Sequence, residues 1–201
     1  SVNPPLVGIS MSDGGSSVAL LAFGDMLRRR GYTGHITCGG PFATLSRQWL
    51  LSRYSWLDSV VRHAGEVPIV HLAETLRDHR SLRSVPGLTT RDGDGTAADV
   101  MSEMPFELVP SRGELSSILK HRAAQITAGR GCAGRCGYCS PATLQMAEVR
   151  EGRRDGISAA TLRHAGVGGA RRRDLDAVCD EMAELYHDRD VRYFYFVDEH
   201  M

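Results

Sequence analysis

The sequence carries no net charge, because 24 basic and 24 acidic side chains cancel over 201 residues. No global positive field therefore favours nucleic acid or an anionic membrane, with Arg28 to Arg30 and Arg171 to Arg173 as local exceptions. No run of about 18 apolar residues occurs, so no membrane-spanning helix is expected. No secretory leader pattern opens the sequence. Cysteine is scarce, at five residues, and three of those five fall in one short loop. That pattern argues against a disulfide framework and suits a metal site in a reducing cytoplasm. Apolar residues make up 42% of the chain, enough for a core and for one large domain or two small ones.

Along the chain, residues 6 to 80 alternate between strand and helix patterns. Leu6 to Ser10 is a short apolar strand. Ser16 or Ser17 is placed to cap a helix that runs to Arg30, with Val18, Leu21, Ala22 and Met26 on one face and Gly31 as its stop. His35 to Cys38 is a second strand, followed by a helix from about Ala43 to Arg53, and Ser59 to Arg62 is a third strand. After Pro68, Ile69, Leu72, Ala73 and Leu76 form an apolar helical stripe. Repeated strand–helix pairs predict a parallel, doubly wound sheet. Residues 81–122 read as a linker with a small hairpin at Pro86 to Gly95. Asp92, Asp94 and Asp99 superficially suggest calcium ligands, but the bidentate Glu of such a loop is missing and a plain turn is expected.

A second α/β stretch covers residues 123–201. Gln125 to Thr127 is a strand leading into the cysteine loop. Residues 142–173 are polar and poorly patterned, and Arg171 to Arg173 read as a solvated loop. A helix follows from Asp174 to His187, with Leu175, Val178, Met182 and Leu185 at helical spacing. The apolar run Val191 to Val197 predicts a strand buried on both faces. Cys38 and Cys179 read as ordinary buried thiols, and His35, His63 and His71 show no ligand spacing.

The loop itself reads Gly131-Cys132-Ala133-Gly134-Arg135-Cys136-Gly137-Tyr138-Cys139, a C-x3-C-x2-C spacing. Three soft thiolates this close suit iron or zinc. A structural zinc site needs a fourth ligand, and no Cys or His lies in register. A four-iron cluster held by three cysteines leaves one iron open to a further ligand. The spacing, with aromatic Tyr138 just before the last cysteine, resembles the cluster loop of the radical S-adenosylmethionine (radical SAM) superfamily. The resemblance implies a [4Fe–4S] cluster on Cys132, Cys136 and Cys139, with S-adenosylmethionine on the open iron. It further implies Tyr138 beside the adenine and Asp198 and Glu199 at the amino group of S-adenosylmethionine.

The first stretch carries its own resemblance. Ser10-Met11-Ser12 and Gly39-Gly40 stand in the places of the S-x-L and Gly-Gly motifs of cobalamin-binding domains, and the 26 residues between Ser12 and Gly39 match their separation. Ser12 replaces the motif's leucine, and the family's D-x-H-x-x-G motif is absent. Strand ends of an open α/β sheet are where ligands bind, and paired glycines let the backbone approach a bulky group. Together with Pro41, Phe42, Gly65 and Glu66, these residues resemble the cobalamin-dependent radical SAM enzymes, in which such a domain precedes the cluster barrel.

The resemblance implies a partial doubly wound, Rossmann-like cobalamin-binding domain at 1–80. It places the N-terminal portion of a radical SAM core, the first βα units of a partial TIM-type barrel, at 123–201. It implies a cobalamin-dependent methyltransferase at an unactivated carbon, in which reductive cleavage of S-adenosylmethionine gives a 5′-deoxyadenosyl radical and methylcobalamin supplies the methyl group. A small-molecule or peptide substrate and an electron donor such as flavodoxin or ferredoxin are the expected partners. Alternatives are a radical SAM cyclase or rearrangement enzyme, a methylthiotransferase, or a non-catalytic metal- or cobalamin-binding module. A methylthiotransferase would need more cysteines before residue 132 than Cys38. The sequence reads as a fragment of a larger enzyme, or as a chain that borrows missing parts from a partner.

Overall fold

The computed structural model describes residues 4–97, 113–118, 120–134, 136–164 and 168–199. The chain divides into two compact units, one of residues 1–99 with 150–157 and one of residues 100–149 with 158–201.

The first unit runs β1 (Leu6–Ser10), α1 (Gly14–Arg29), β2 (His35–Gly39), α2 (Pro41–Arg53), β3 (Ser59–Val61), α3 (Glu66–Arg77), β4 (Leu88–Thr90) and β5 (Gly93–Asp94). Its five strands form one sheet in the order β1-β2-β3-β4-β5. The first three are parallel, with Ile9 opposite Cys38 and Cys38 opposite Val60. The last two run antiparallel, so the hairpin expected in the linker extends this sheet. Side chains alternate across it as the pleat requires. Val7, Ile9, Ile36, Cys38 and Val60 pack with Leu20 and Leu27 of α1 and Leu50 of α2. Leu6, Val61 and Leu88 pack with Ile69, Leu72 and Leu76 of α3. Helices on both faces explain why these strands are apolar on both sides.

One local detail differs from the sequence pattern, and the Asp94 turn gains a partner. Asp13, not Ser16 or Ser17, caps α1: its carboxylate accepts the Ser16 N–H at 2.8 Å. Ser17 lies inside the helix and turns its hydroxyl back to the Asp13 carbonyl. Asp94 is no cation ligand, because Arg47 grips its carboxylate with two bonds of 2.9 and 2.8 Å. Asp92 is exposed, and Asp99 lies outside the described residues.

The second unit contains β6 (Ser116–Ile118), β7 (His121–Ile126), β8 (Gly129–Arg130), α4 (Ser140–Arg154), α5 (Ala159–His164), β9 (Arg171–Arg172), α6 (Leu175–Asp188) and β10 (Val191–Phe196). The last turn of α4 is grouped with the first unit. Strands β10, β7 and β6 form a sheet in that order, with β10 parallel to β7 and β6 antiparallel to it. Ala124, Ile126 and Val191 pack against Val178, Met182 and Leu185 of α6.

Four expectations change in this unit. The poorly patterned stretch after residue 142 holds α4 and α5. Arg171 to Arg173 are not a solvated loop, since Arg171 and Arg172 form β9 against β8, and Arg173 is buried. Strand β10 is not buried on both faces, because only Val191 is enclosed and Tyr193, Tyr195 and Phe196 are exposed. Cys179 is exposed on α6, whereas Cys38 is buried as expected.

Candidate cluster loop and strand-end site

Strand β7 delivers the chain to Thr127 and Ala128, and β8 then pairs with β9 to form the stem of the cysteine loop. Gly131 turns the chain at φ +85°, where a Cβ would lie 2.5 Å from the Gly169 carbonyl oxygen. Only glycine relieves both constraints. The sulfurs of Cys132 and Cys136 both lie within 4 Å of where a Gly134 Cβ would sit, and the Gly134 N–H donates to Cys132 Sγ at 3.2 Å. Cys139 immediately precedes α4, and its carbonyl accepts the Thr143 N–H at 3.1 Å. All three cysteines are free, and Cys136 is exposed.

The donor set fits an iron–sulfur cluster: three reduced, accessible thiols on one loop, with its stem fixed and its far end tied to a helix. Among the described residues, however, no three ligating side chains are drawn into one group. Tyr138 stands in solvent at 93% exposure.

The residues expected at the amino group of S-adenosylmethionine lie just past β10. Asp198 accepts N–H bonds from Ala128, at 3.2 Å, and from Gly129. Glu199 accepts the Gly131 N–H at 3.0 Å through one oxygen, Oε2. Both carboxylates therefore touch the loop stem. Arg173 holds the other side: its N–H donates to the Ala128 carbonyl at 2.8 Å, and its Nη1 donates to the Thr127 carbonyl at 3.0 Å. Glu181 offsets the Arg173 charge at 2.6 Å, with both side chains buried.

In the first unit, the residues expected to face cobalamin collect at the carboxyl ends of β1 to β3. Ser10 is directly opposite Gly39. Both Gly39 and Gly65 lie against Val61, within ordinary contact distance of where a Cβ would sit. Gly40, at φ +97°, threads past the Met11 carbonyl oxygen, which a Cβ would approach to 2.7 Å. The Phe42 N–H returns a bond to that same carbonyl at 3.1 Å. Pro41 opens α2 and Glu66 opens α3. Ser10 and Ser12 are exposed, and the Phe42 ring lies beside Gly14.

A buried ionic cluster, missed in the sequence, sits beside these strand ends. Arg62 follows β3 directly, and its side chain is fully enclosed. It donates to Glu151 and to the carbonyls of Gly95 and Thr96, the last two at 2.8 Å. Arg47 bonds the other Glu151 oxygen at 3.1 Å, and His63 Nε2 lies 3.1 Å from Glu151 Oε2. Burial pushes the Glu151 carboxyl up, but the neighbouring His63 and the charges of Arg62 and Arg47 outweigh it and hold it below the usual range. An arginine directly after the apolar Val60-Val61 pair was the available sequence signal. His35 has no vacant ring nitrogen facing β3, since its Nε2 is 2.8 Å from Ser59 Oγ.

Fold and site thus define a class: a parallel α/β unit with a glycine-lined strand edge, followed by a cysteine loop at the start of a second α/β unit. In structure, the chain is similar to the radical S-adenosylmethionine methyltransferase TsrM from Kitasatospora setae, solved with cobalamin and a [4Fe–4S] cluster bound. That match has a TM-score of 0.65 at 17% identity and covers 98% of this chain and 38% of that one. It is also similar to the cobalamin-dependent S-adenosylmethionine radical enzyme OxsB, with a TM-score of 0.62 at 18% identity, covering 98% of this chain and 26% of that one.

In sequence, it is 23% identical over 176 residues to an uncharacterized methyltransferase of Pyrococcus horikoshii, covering 82% of this chain and 33% of the relative. It is 29% identical over 112 residues to the anaerobic magnesium-protoporphyrin IX monomethyl ester cyclase of Synechocystis, covering 52% of this chain and 22% of that one. No protein-family model matches. The chain shares the fold of these solved structures, a Rossmann-like unit followed by a second α/β unit, and it spans about a third or less of the curated relatives. Among the described residues, no helix is long and apolar enough to cross a membrane.

Proposed function

We propose that the chain is part of a cobalamin-dependent radical SAM methyltransferase that acts at an unactivated carbon. One observation carries this reading: both units, in this order, align over 98% of the chain with a structure containing cobalamin and a [4Fe–4S] cluster. Cys132, Cys136 and Cys139 hold the cluster, and Tyr138 covers the adenine of S-adenosylmethionine. Glu199, whose Oε2 alone is engaged by Gly131, meets the amino group. Ser10, Ser12, Gly39, Gly40, Pro41, Phe42, Gly65 and Glu66 form the cobalamin edge. The bound cofactors supply the radical and methyl-transfer chemistry, and the protein orients them and excludes water. A flavodoxin or ferredoxin provides the electron, a small molecule or peptide is the substrate, and the reducing cytoplasm is the compartment that keeps the thiols free.

The test is anaerobic loading of the purified chain with iron, sulfide and hydroxocobalamin, followed by metal analysis and visible spectra. About four irons per chain and a spectral change on adding S-adenosylmethionine are expected. Zinc in place of iron, with no corrin absorbance retained, overturns the proposal.

A further inference from the structure

We infer that Asp198 is a positioning residue for the cysteine loop, acting through backbone N–H groups instead of touching S-adenosylmethionine. The inference rests on reading the loop as a cluster site. Val197 extends the β10–β7 ladder by donating to the Ile126 carbonyl at 3.0 Å. The next residue, Asp198, reaches across the end of β7 and commits both carboxylate oxygens, Oδ2 to the Ala128 N–H and Oδ1 to the Gly129 N–H. Arg173 takes the carbonyls of Thr127 and Ala128 from the opposite side. The Thr127–Gly129 backbone is therefore fixed at four polar groups, three residues before Cys132.

Such pinning matters because three cysteines on a short loop must meet one rigid cluster, and the loop's own turns do not set where its stem points. Two charge-assisted bonds to one carboxylate are strong and directional. Asp198 differs here from its neighbour, since Glu199 engages the loop through a single oxygen. The two acidic residues divide the work: one holds the stem and the other faces the ligand.

Amide hydrogen exchange of the full, metal-free chain tests the brace directly. In Asp198→Ala the Ala128 and Gly129 amides exchange about tenfold faster than in the parent, the loss expected for one charge-assisted bond, while the Val197 amide is unchanged. Equal exchange at Ala128 and Gly129 overturns the inference. In the iron-loaded chain, Asp198→Ala surrenders iron to a chelator several-fold faster than the parent, and Asp198→Asn, which keeps one acceptor oxygen, falls between. Glu199→Gln keeps its iron and binds S-adenosylmethionine more weakly by equilibrium dialysis. Iron retention at the parental rate in Asp198→Ala, with weakened S-adenosylmethionine binding, overturns the inference in favour of a direct contact. If the parent itself takes up no iron, the proposed function fails, and the exchange rates alone decide the role of Asp198.

Discussion

Replacing Glu151 by Gln removes one charge from a cluster that has almost no access to water. The Arg62 side chain is 0% exposed and that of Glu151 is 7% exposed. The one amide oxygen left by Gln serves either Arg62 or Arg47 and carries no charge, while Arg62 keeps the Gly95 and Thr96 carbonyls and Arg47 keeps Asp94. Breaking a buried pair while leaving its partner charged costs about 3–5 kcal/mol. With a urea dependence of about 1.5 kcal/mol per M, the unfolding midpoint of the first unit falls by roughly 2–3 M. Trp49 and Trp56, the two tryptophans of the chain, both lie in this unit and report its unfolding by fluorescence.

The pH dependence carries the same signature. Asp94 is lowered chiefly by its bonds to Arg47, against burial and with help from Thr89, and Glu151 is lowered as described above. Carboxyls depressed in the folded state stabilise fully above their unfolded values, near 4, and lose that contribution as pH falls through the folded values. The gap between parent and variant is therefore widest near neutrality and closes in acid. A midpoint shift worth less than about 1 kcal/mol at pH 7 refutes the reasoning, since it would mean the cluster behaves as an exposed ion pair.

Two further outcomes are expected. Gly131→Ala places a Cβ 2.5 Å from the Gly169 carbonyl at positive φ, a strain of about 1–3 kcal/mol. The loaded variant should lose iron faster than the parent in a chelator assay, and parental retention would show that the turn is not required. Burial pushes the Cys38 thiol up to about 12, so iodoacetamide at pH 8 should label exposed Cys179 and spare Cys38 in the native chain. Mass spectrometry showing equal labelling would contradict the packing of β2.

The strand–helix alternation of the first unit was legible because it depends on local periodicity: apolar strands enclosed on both faces and amphipathic helices leave their patterns within a few residues. The cysteine loop was legible for the same reason, since its donors are close in sequence. Helix α4 was not, because its composition is polar and Gly152 interrupts it. The apolar run of β10 suggested enclosure, yet in the described structure only Val191 is covered.

The sequence by itself determined the parallel α/β repeats, the three clustered thiols and the glycines at the strand ends. Only the tertiary structure decided which charges are buried and what the acidic pair after β10 touches. Arg62 meets Glu151 across 89 positions, and Asp198 meets Gly129 across 69. Periodicity carries no record of partners that far apart. An isolated Arg or Asp looks solvated until folding removes the water and leaves one specific partner to satisfy it.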